Sequence, residues 1–212
     1  MAESFSEKGR LPACRLDKDL FAELGALLGQ DGQPVWQATV GTGGDTLGQR
    51  KERPQETVDD QGRLLELLAA ASRLDSLQYT AEVTGKGAIS FSFQNYNPPA
   101  GVLVVASEDA AWTADRFAAI ADLFAARRDG WADKLYTKWA MAFINTVIPL
   151  VAASLVVVLA AAILIPASVR QSEWLWWLTA GTVILTMWLG ARFSNRLLDY
   201  VLRKYPYIRW RS

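Results

Sequence analysis

The run Gly41-Thr42-Gly43-Gly44-Asp45-Thr46-Leu47-Gly48-Gln49-Arg50 follows a β-branched stretch, a position where backbone N–H groups elsewhere cradle phosphate. A P-loop needs Lys and Ser/Thr after its last glycine, whereas Gly48 is followed by Gln49-Arg50, and a dinucleotide fingerprint needs glycine where Thr46 stands. The run therefore reads as a loop, with Arg50, Lys51 and Arg53 as the charges an anion would meet. Two carboxylate pairs, Asp59-Asp60 and Glu108-Asp109, have the chemistry of acid–base or metal work. Both precede helical patterns, where an acidic side chain caps free N–H groups and offsets the helix dipole. Cys14 is the one thiol, and Arg15 beside it would favour a thiolate. With no His in the chain, Ser-His-Asp and Cys-His nucleophiles and His/Cys zinc sites are excluded, and a single cysteine excludes an intrachain disulfide. No catalytic residue, metal or cofactor is expected, and the chain reads as a non-enzyme.

The elements that hold these groups follow from periodicity. Residues 1–12 are polar and aperiodic and are expected as a flexible arm. From Asp17, the residues Leu20, Phe21, Leu24, Leu27 and Leu28 recur with helical spacing until Gly29 and Asp31-Gly32 end the pattern. Val35 to Val40 is β-branched and aromatic, which predicts a strand. A second helix is expected from about Thr57, capped by Thr57 or Asp59, through Leu64, Leu65, Leu67 and Leu68 to about Ala71. Leu77, Tyr79, Ala81 and Val83 alternate with polar residues, as do Ile89, Phe91 and Phe93 after Thr84-Gly85-Lys86-Gly87; this predicts a hairpin with one apolar face. Gly101 to Ala106 is continuously apolar, the pattern of a more buried strand, and Trp112, Arg116, Phe117, Ile120, Leu123 and Phe124 stripe a helix over about 110–127. A sheet apolar on one face needs helices across that face. Residues 13–130 are accordingly expected to form an α+β domain, a two-layer α/β sandwich with a mostly antiparallel sheet.

Composition divides the chain in two. Over 212 residues, 51% are hydrophobic, and 22 Lys/Arg balance 22 Asp/Glu, so the overall basic excess of a nucleic-acid binder is absent. The first 138 residues carry a net charge of −5 and the remainder +5. Between Lys138 and Arg170 no side chain ionises, and 142–165 is apolar enough to span a bilayer; a second charge-free run covers Trp174 to Ala191, and the span it predicts extends through Phe193 with Arg192 snorkelling. Two spans, 142–165 and 174–193, would form a transmembrane hairpin around an extracytoplasmic loop, 166–173. Trp131, Leu135 and Trp139, spaced by four, predict a juxtamembrane helix over 131–141. Trp174, Trp176 and Trp177 fall where an aromatic belt belongs. The positive flanks, Arg127, Arg128, Lys134 and Lys138 before the first span and Arg192, Arg196, Arg203 and Lys204 after the second, place both termini in the cytoplasm. Thr182, Thr186 and Gly190 recur every four residues, a small-residue face for packing within the hairpin or between protomers, and Asn145 would add an interhelical hydrogen bond to either. In the segment 194–212, Arg203, Lys204 and Trp210 among other cations and aromatics read as a tail anchored to anionic lipid, each cation contributing about 1 kcal/mol near the surface.

Through Trp112, the hairpin of Leu77 to Phe93 and the paired spans, the layout resembles uncharacterised bacterial membrane proteins in which a small cytosolic α+β domain precedes two C-terminal transmembrane helices. Taken together, the sequence predicts a multi-pass protein of the bacterial inner membrane. Its partners would be the lipid bilayer and an unknown protein or a second copy of itself, with no nucleic acid. The expected function is a non-catalytic interaction module. The alternative is a ligand-sensing effector whose two spans oligomerise to perturb the membrane.

Overall fold

A computed structural model describes residues 4–42, 55–71, 73–96, 99–164 and 175–211. The chain divides into two compact units, one made of Met1–Tyr136 with Tyr205–Ser212 and the other of Thr137–Lys204. The first unit is α+β.

Six strands form its main sheet: β1 (Phe5–Arg10), β3 (Pro34–Thr42), β4 (Gln55–Val58), β5 (Leu74–Val83), β6 (Gly87–Gln94) and β7 (Ala100–Ser107), in the order β1-β7-β6-β5-β3-β4 and antiparallel throughout. The expected hairpin is β5–β6. Its register sets Leu77 opposite Phe93, Tyr79 opposite Phe91 and Ala81 opposite Ile89, so the apolar set shares one face. Gly85 turns it with φ of 71°, a conformation that side chains disfavour. Rings stack across this face from Trp36 to Tyr79 (5.4 Å) to Phe91 (4.9 Å), and Phe91 and Phe93 meet Phe124 at 5.1 and 5.3 Å. The opposite face presents Gln37, Thr57, Gln78, Thr80 and Ser92 to solvent.

Three helices supply the apolar stripes that complement the sheet: α1 (Lys18–Gly29), α2 (Gln61–Ala70) and α3 (Ala110–Ala126). Each begins at an aspartate that accepts backbone N–H groups: Asp17 from Leu20, Asp60 from Arg63, and Asp109 from Ala111 and Trp112. The second helix thus starts at Gln61 rather than near Thr57, with Asp60 in place of Thr57 or Asp59 as its cap. Arg116, nearly buried on α3, ion-pairs with Asp31 at 2.8 Å, and the Trp112 indole N–H donates to the same carboxylate at 2.9 Å, tying the end of α1 to α3.

Two strands depart from expectation. Residues 5–10, read as part of an arm, form β1 on the edge of the sheet, paired from Phe5 opposite Ser107 to Arg10 opposite Val102. An edge strand with both faces largely exposed needs no apolar alternation, so its sequence carries no period. Gly9 permits the close approach: a Cβ there would stand 2.4 Å from the Phe117 ring. At the other edge, polar β4 pairs with only Ala38 to Gly41 of β3.

The second unit is helical. α5 (Lys138–Ala142) runs through a π-turn (Phe143–Val147) into α6 (Ile148–Leu164), and a later helix covers Leu175–Lys204. The 23-residue helix Lys138–Ala160 contains an 18-residue stretch of mean hydropathy 2.4, and among the described residues it is the one helix long and apolar enough to cross a membrane. The expected second span lies in Leu175–Lys204, 30 residues or about 45 Å long. Among the described residues it does not reach the same apolarity, because Trp and Thr side chains and then Arg192 and Arg196 interrupt it.

Candidate functional site

The residues that read as a lipid-anchored tail belong to two elements. The helix Leu175–Lys204, called α7 from here, takes up the first part of 194–212. After Tyr205-Pro206 the chain forms β8 (Ile208–Trp210), which pairs in parallel with β2 (Cys14–Leu16). The pairing sets Cys14 opposite Ile208 and Leu16 opposite Trp210, and the Arg211 N–H continues it to the Leu16 carbonyl at 2.8 Å. Tyr207 and Ile208 are fully buried, and Trp210 meets Phe21 of α1 at 6.2 Å. Trp210 is therefore a packing residue of the α+β unit. Its apolar area is better removed from water by a neighbouring core than by the partial immersion of a bilayer surface.

Asn95, at the end of β6, holds this return segment in place. Its amide Nδ2 donates to the carbonyls of Leu74 (2.5 Å) and Ile208 (2.7 Å), and its Oδ1 accepts from the Ile208 N–H at 2.8 Å. A three-residue strand has few backbone partners of its own, and this buried amide satisfies both polar groups of Ile208 at once. Tyr207 completes the arrangement: its hydroxyl donates to the Leu11 carbonyl, its ring packs on Phe93 and Tyr136, and the Arg10 guanidinium lies 6.0 Å from the ring centre. Arg10 also donates to the Tyr136 carbonyl at 3.0 Å, while the Tyr136 hydroxyl donates to the carbonyl of Tyr205. The residue where the chain leaves this unit and the residue where it comes back are thus bonded to one another. Burial raises both phenols, that of Tyr207 against a smaller opposing pull from Arg10, so each remains a protonated donor.

Asp129 is the electrostatic centre of the same end. It caps α4 (Gly130–Leu135) by accepting from Ala132 and also takes Arg15 at 3.3 Å and Arg209 at 2.8 Å. Burial pushes its carboxyl up, but the Ala132 N–H and the two guanidiniums prevail and hold it below the usual aspartate value. Arg128 pairs with Asp133, which also accepts from the Ala13 N–H. Cys14 belongs to this layer as well: burial pushes its thiol up to about 12 against a weaker opposing effect of Arg127. The thiolate that Arg15 would have favoured does not form, and Cys14 is an inert core residue that reports on β8 docking.

The carboxylate pairs stay apart from this centre. Asp60 and Asp109 are helix caps, and Asp59 and Glu108 are exposed. The glycine-rich loop lies outside the described residues from Gly43 onward, including Arg50, Lys51 and Arg53, as do Trp174, the side chain of Trp176 and the connector 166–173. Among the described residues no three His, Cys, Asp or Glu side chains are grouped so as to hold a metal ion.

The expected juxtamembrane helix is two pieces. Thr137 caps α5 separately from α4, with Trp131 on α4 71% exposed and Trp139 on α5 88% exposed. In the helical unit Trp177 is exposed, and the Thr186 hydroxyl donates to the Thr182 carbonyl of its own helix at 2.8 Å. Gly190 faces α6, where a Cβ would sit 3.8 Å from both the Pro149 carbonyl and the Leu150 Cα. Ser194 donates to the Asn145 carbonyl at 2.7 Å and also meets the Asn145 amide oxygen. That carbonyl is available because Pro149, four residues on, has no N–H to donate. The contacts run in opposite directions along the two helices, so α6 and α7 are antiparallel. Arg203 pairs with Asp199 within α7, and Lys204 lies over Tyr200.

Comparison with family models, with curated proteins and with solved structures finds no match to this chain.

Proposed function

We propose that this chain is a two-pass module of a bacterial inner membrane: a cytosolic α+β domain, closed by its own C-terminal strand, that binds a protein partner or a second copy without catalysing a reaction. The observation that carries the reading is β8. A folded unit lies on one side of a bilayer, and this one contains residues from before and after Thr137–Lys204. That favours an even number of crossings by the intervening chain. The 23-residue apolar helix supports one crossing outward, and α7 is proposed as the way back. The antiparallel contact of α6 with α7 supports the same path, and the seating of Gly190 on α6 favours small-residue packing within one chain over a contact between protomers.

Cations flank both helices on the domain side, which supports cytoplasmic termini. The non-catalytic reading rests on what the candidate groups do: the carboxylates that open α2 and α3 are committed to N–H groups, and the thiol is held protonated.

Sided labelling tests the topology. On a Cys14→Ser background, Lys8→Cys, Ser172→Cys and Arg211→Cys are each exposed to an impermeant maleimide in right-side-out and inverted membrane vesicles. Positions 8 and 211 are expected to react only in inverted vesicles and position 172 only in right-side-out ones. Reaction of positions 8 and 211 from opposite sides would refute the two-pass path.

A further inference from the structure

We infer that the end of the α+β unit built around α4 is a docking surface for anionic phospholipid headgroups, an inference that rests on the two-pass reading and names the lipid class this surface selects. Three observations converge on it. First, Trp131 projects from α4 with 71% of its surface exposed, and its ring lies 6.4 Å from that of Tyr205. An exposed indole beside a phenol is the amphipathic chemistry of the headgroup layer. Second, the charge here opposes that of the surrounding sequence. The first 138 residues carry −5, yet around α4 the four guanidiniums of Arg10, Arg15, Arg128 and Arg209 gather about the two carboxylates of Asp129 and Asp133, an excess of +2 among these residues.

Third, the guanidiniums are held rather than free. Arg15 and Arg209 share the single carboxylate of Asp129, and Arg128 is fixed on Asp133, while their side chains remain 44%, 48% and 54% exposed. One carboxylate between two guanidiniums leaves a net positive fork with outward N–H groups, and a planar fork matches a phosphodiester bidentately. Fixing it beforehand removes the ordering cost of binding. An acidic protein segment would satisfy the same charges. Lipid is favoured because Tyr136 and Tyr205, where the chain leaves this unit toward the apolar helix and where it returns, lie at this end of the unit and are bonded to one another through the Tyr136 hydroxyl.

Hydrogen exchange on the full chain in lipid nanodiscs tests the inference. Discs of phosphatidylcholine alone are compared with discs containing about 30% phosphatidylglycerol. Residues 130–136 and 208–211 are expected to exchange about fivefold more slowly in the anionic discs. The difference should vanish at about 1 M salt and in the double variant Arg128→Gln/Arg209→Gln, whose protected Cys14 shows that it still folds. Equal exchange in the two disc types overturns the inference. So does protection by an added polyglutamate peptide in phosphatidylcholine discs with none from phosphatidylglycerol, which would assign the surface to an acidic protein. A chain that fails to enter discs of either composition contradicts the two-pass reading instead.

Discussion

Replacing Tyr207 with alanine is expected to destabilise the α+β domain by about 3–5 kcal/mol, the usual cost of emptying a buried aromatic site. The position lies beyond the helical unit, 72 residues after α4 ends at Leu135. Read as a tail, it should tolerate any residue. In the fold its side chain has no exposed surface, its ring packs against Phe93 and Tyr136, and its hydroxyl serves the Leu11 carbonyl. Domains of this kind have total stabilities of about 5–15 kcal/mol, so the loss is a large fraction of the whole. Thermal unfolding of the full chain in detergent reads it directly. Cys14 gives a second reading, because its N–H donates to the Tyr207 carbonyl at 3.0 Å. Maleimide labelling of Cys14 is expected to be slow in the wild type and fast in Tyr207→Ala. Unchanged labelling and stability would mean that the return segment is not part of the core.

The second large effect is at Asn95. Asn95→Leu removes the partners of the Ile208 N–H, the Ile208 carbonyl and the Leu74 carbonyl together. At about 1–3 kcal/mol for each buried group left unsatisfied, with β8 free to relax, a loss of about 3–5 kcal/mol is expected. Asn95→Asp is the more telling substitution. It keeps an acceptor for the Ile208 N–H but directs an oxygen at two carbonyls, so only the protonated acid, which donates to one of them, fits. The folded-state pKa of that acid is raised above the unfolded value of about 3.9. Its contribution is then present at low pH and lost as pH rises through the folded value. Asn95→Asp should therefore unfold at lower temperature at pH 8 than at pH 4, relative to the wild type at each pH. A difference between variant and wild type that does not change with pH would show that this side chain does not contact the two carbonyls.

Those two residues mark where the sequence was hard to read. The hairpin was legible because Leu77 to Val83 and Ile89 to Phe93 alternate strictly over a buried face, and α1 and α3 because their apolar stripes start just after a capping aspartate. The apolar helix was legible from composition. β1 and β4 were not, because edge strands held by backbone bonds carry no face pattern. β8 was obscured differently. Its residues are basic and aromatic beside an apolar helix, the composition of a lipid anchor, and its partner β2 is three residues long and nearly 200 positions away. The available signal was Tyr207-Ile208 behind Pro206, an apolar pair with strand-forming side chains, outweighed by the four surrounding arginines and lysines.

The candidate site had still less of a local signature. Asp129, Asn95 and Cys14 each sit in unremarkable polar or mixed contexts, and their roles arise from contacts with β8. Asn95 in particular belongs to a Pro- and Asn-containing stretch whose composition predicts a turn. The carboxylate pairs stood out more in sequence because adjacent acids are conspicuous, and their actual work is local: Asp60 and Asp109 close helix ends.

The central claim is that the α+β domain is one folding unit assembled from both sides of the helical segment. Its most direct test is to remove that segment. A chain of residues 1–136 joined to 205–212 through a linker of about six glycine and serine residues, able to span up to ~20 Å, leaves every contact of β2, β8, Asn95 and Tyr207 available. The account predicts a soluble protein that unfolds cooperatively and protects Cys14 from maleimide as the full chain does, whereas residues 1–136 alone leave Cys14 reactive. A joined chain whose Cys14 reacts as fast as in the denatured state, or a 1–136 chain as protected as the full protein, would contradict it.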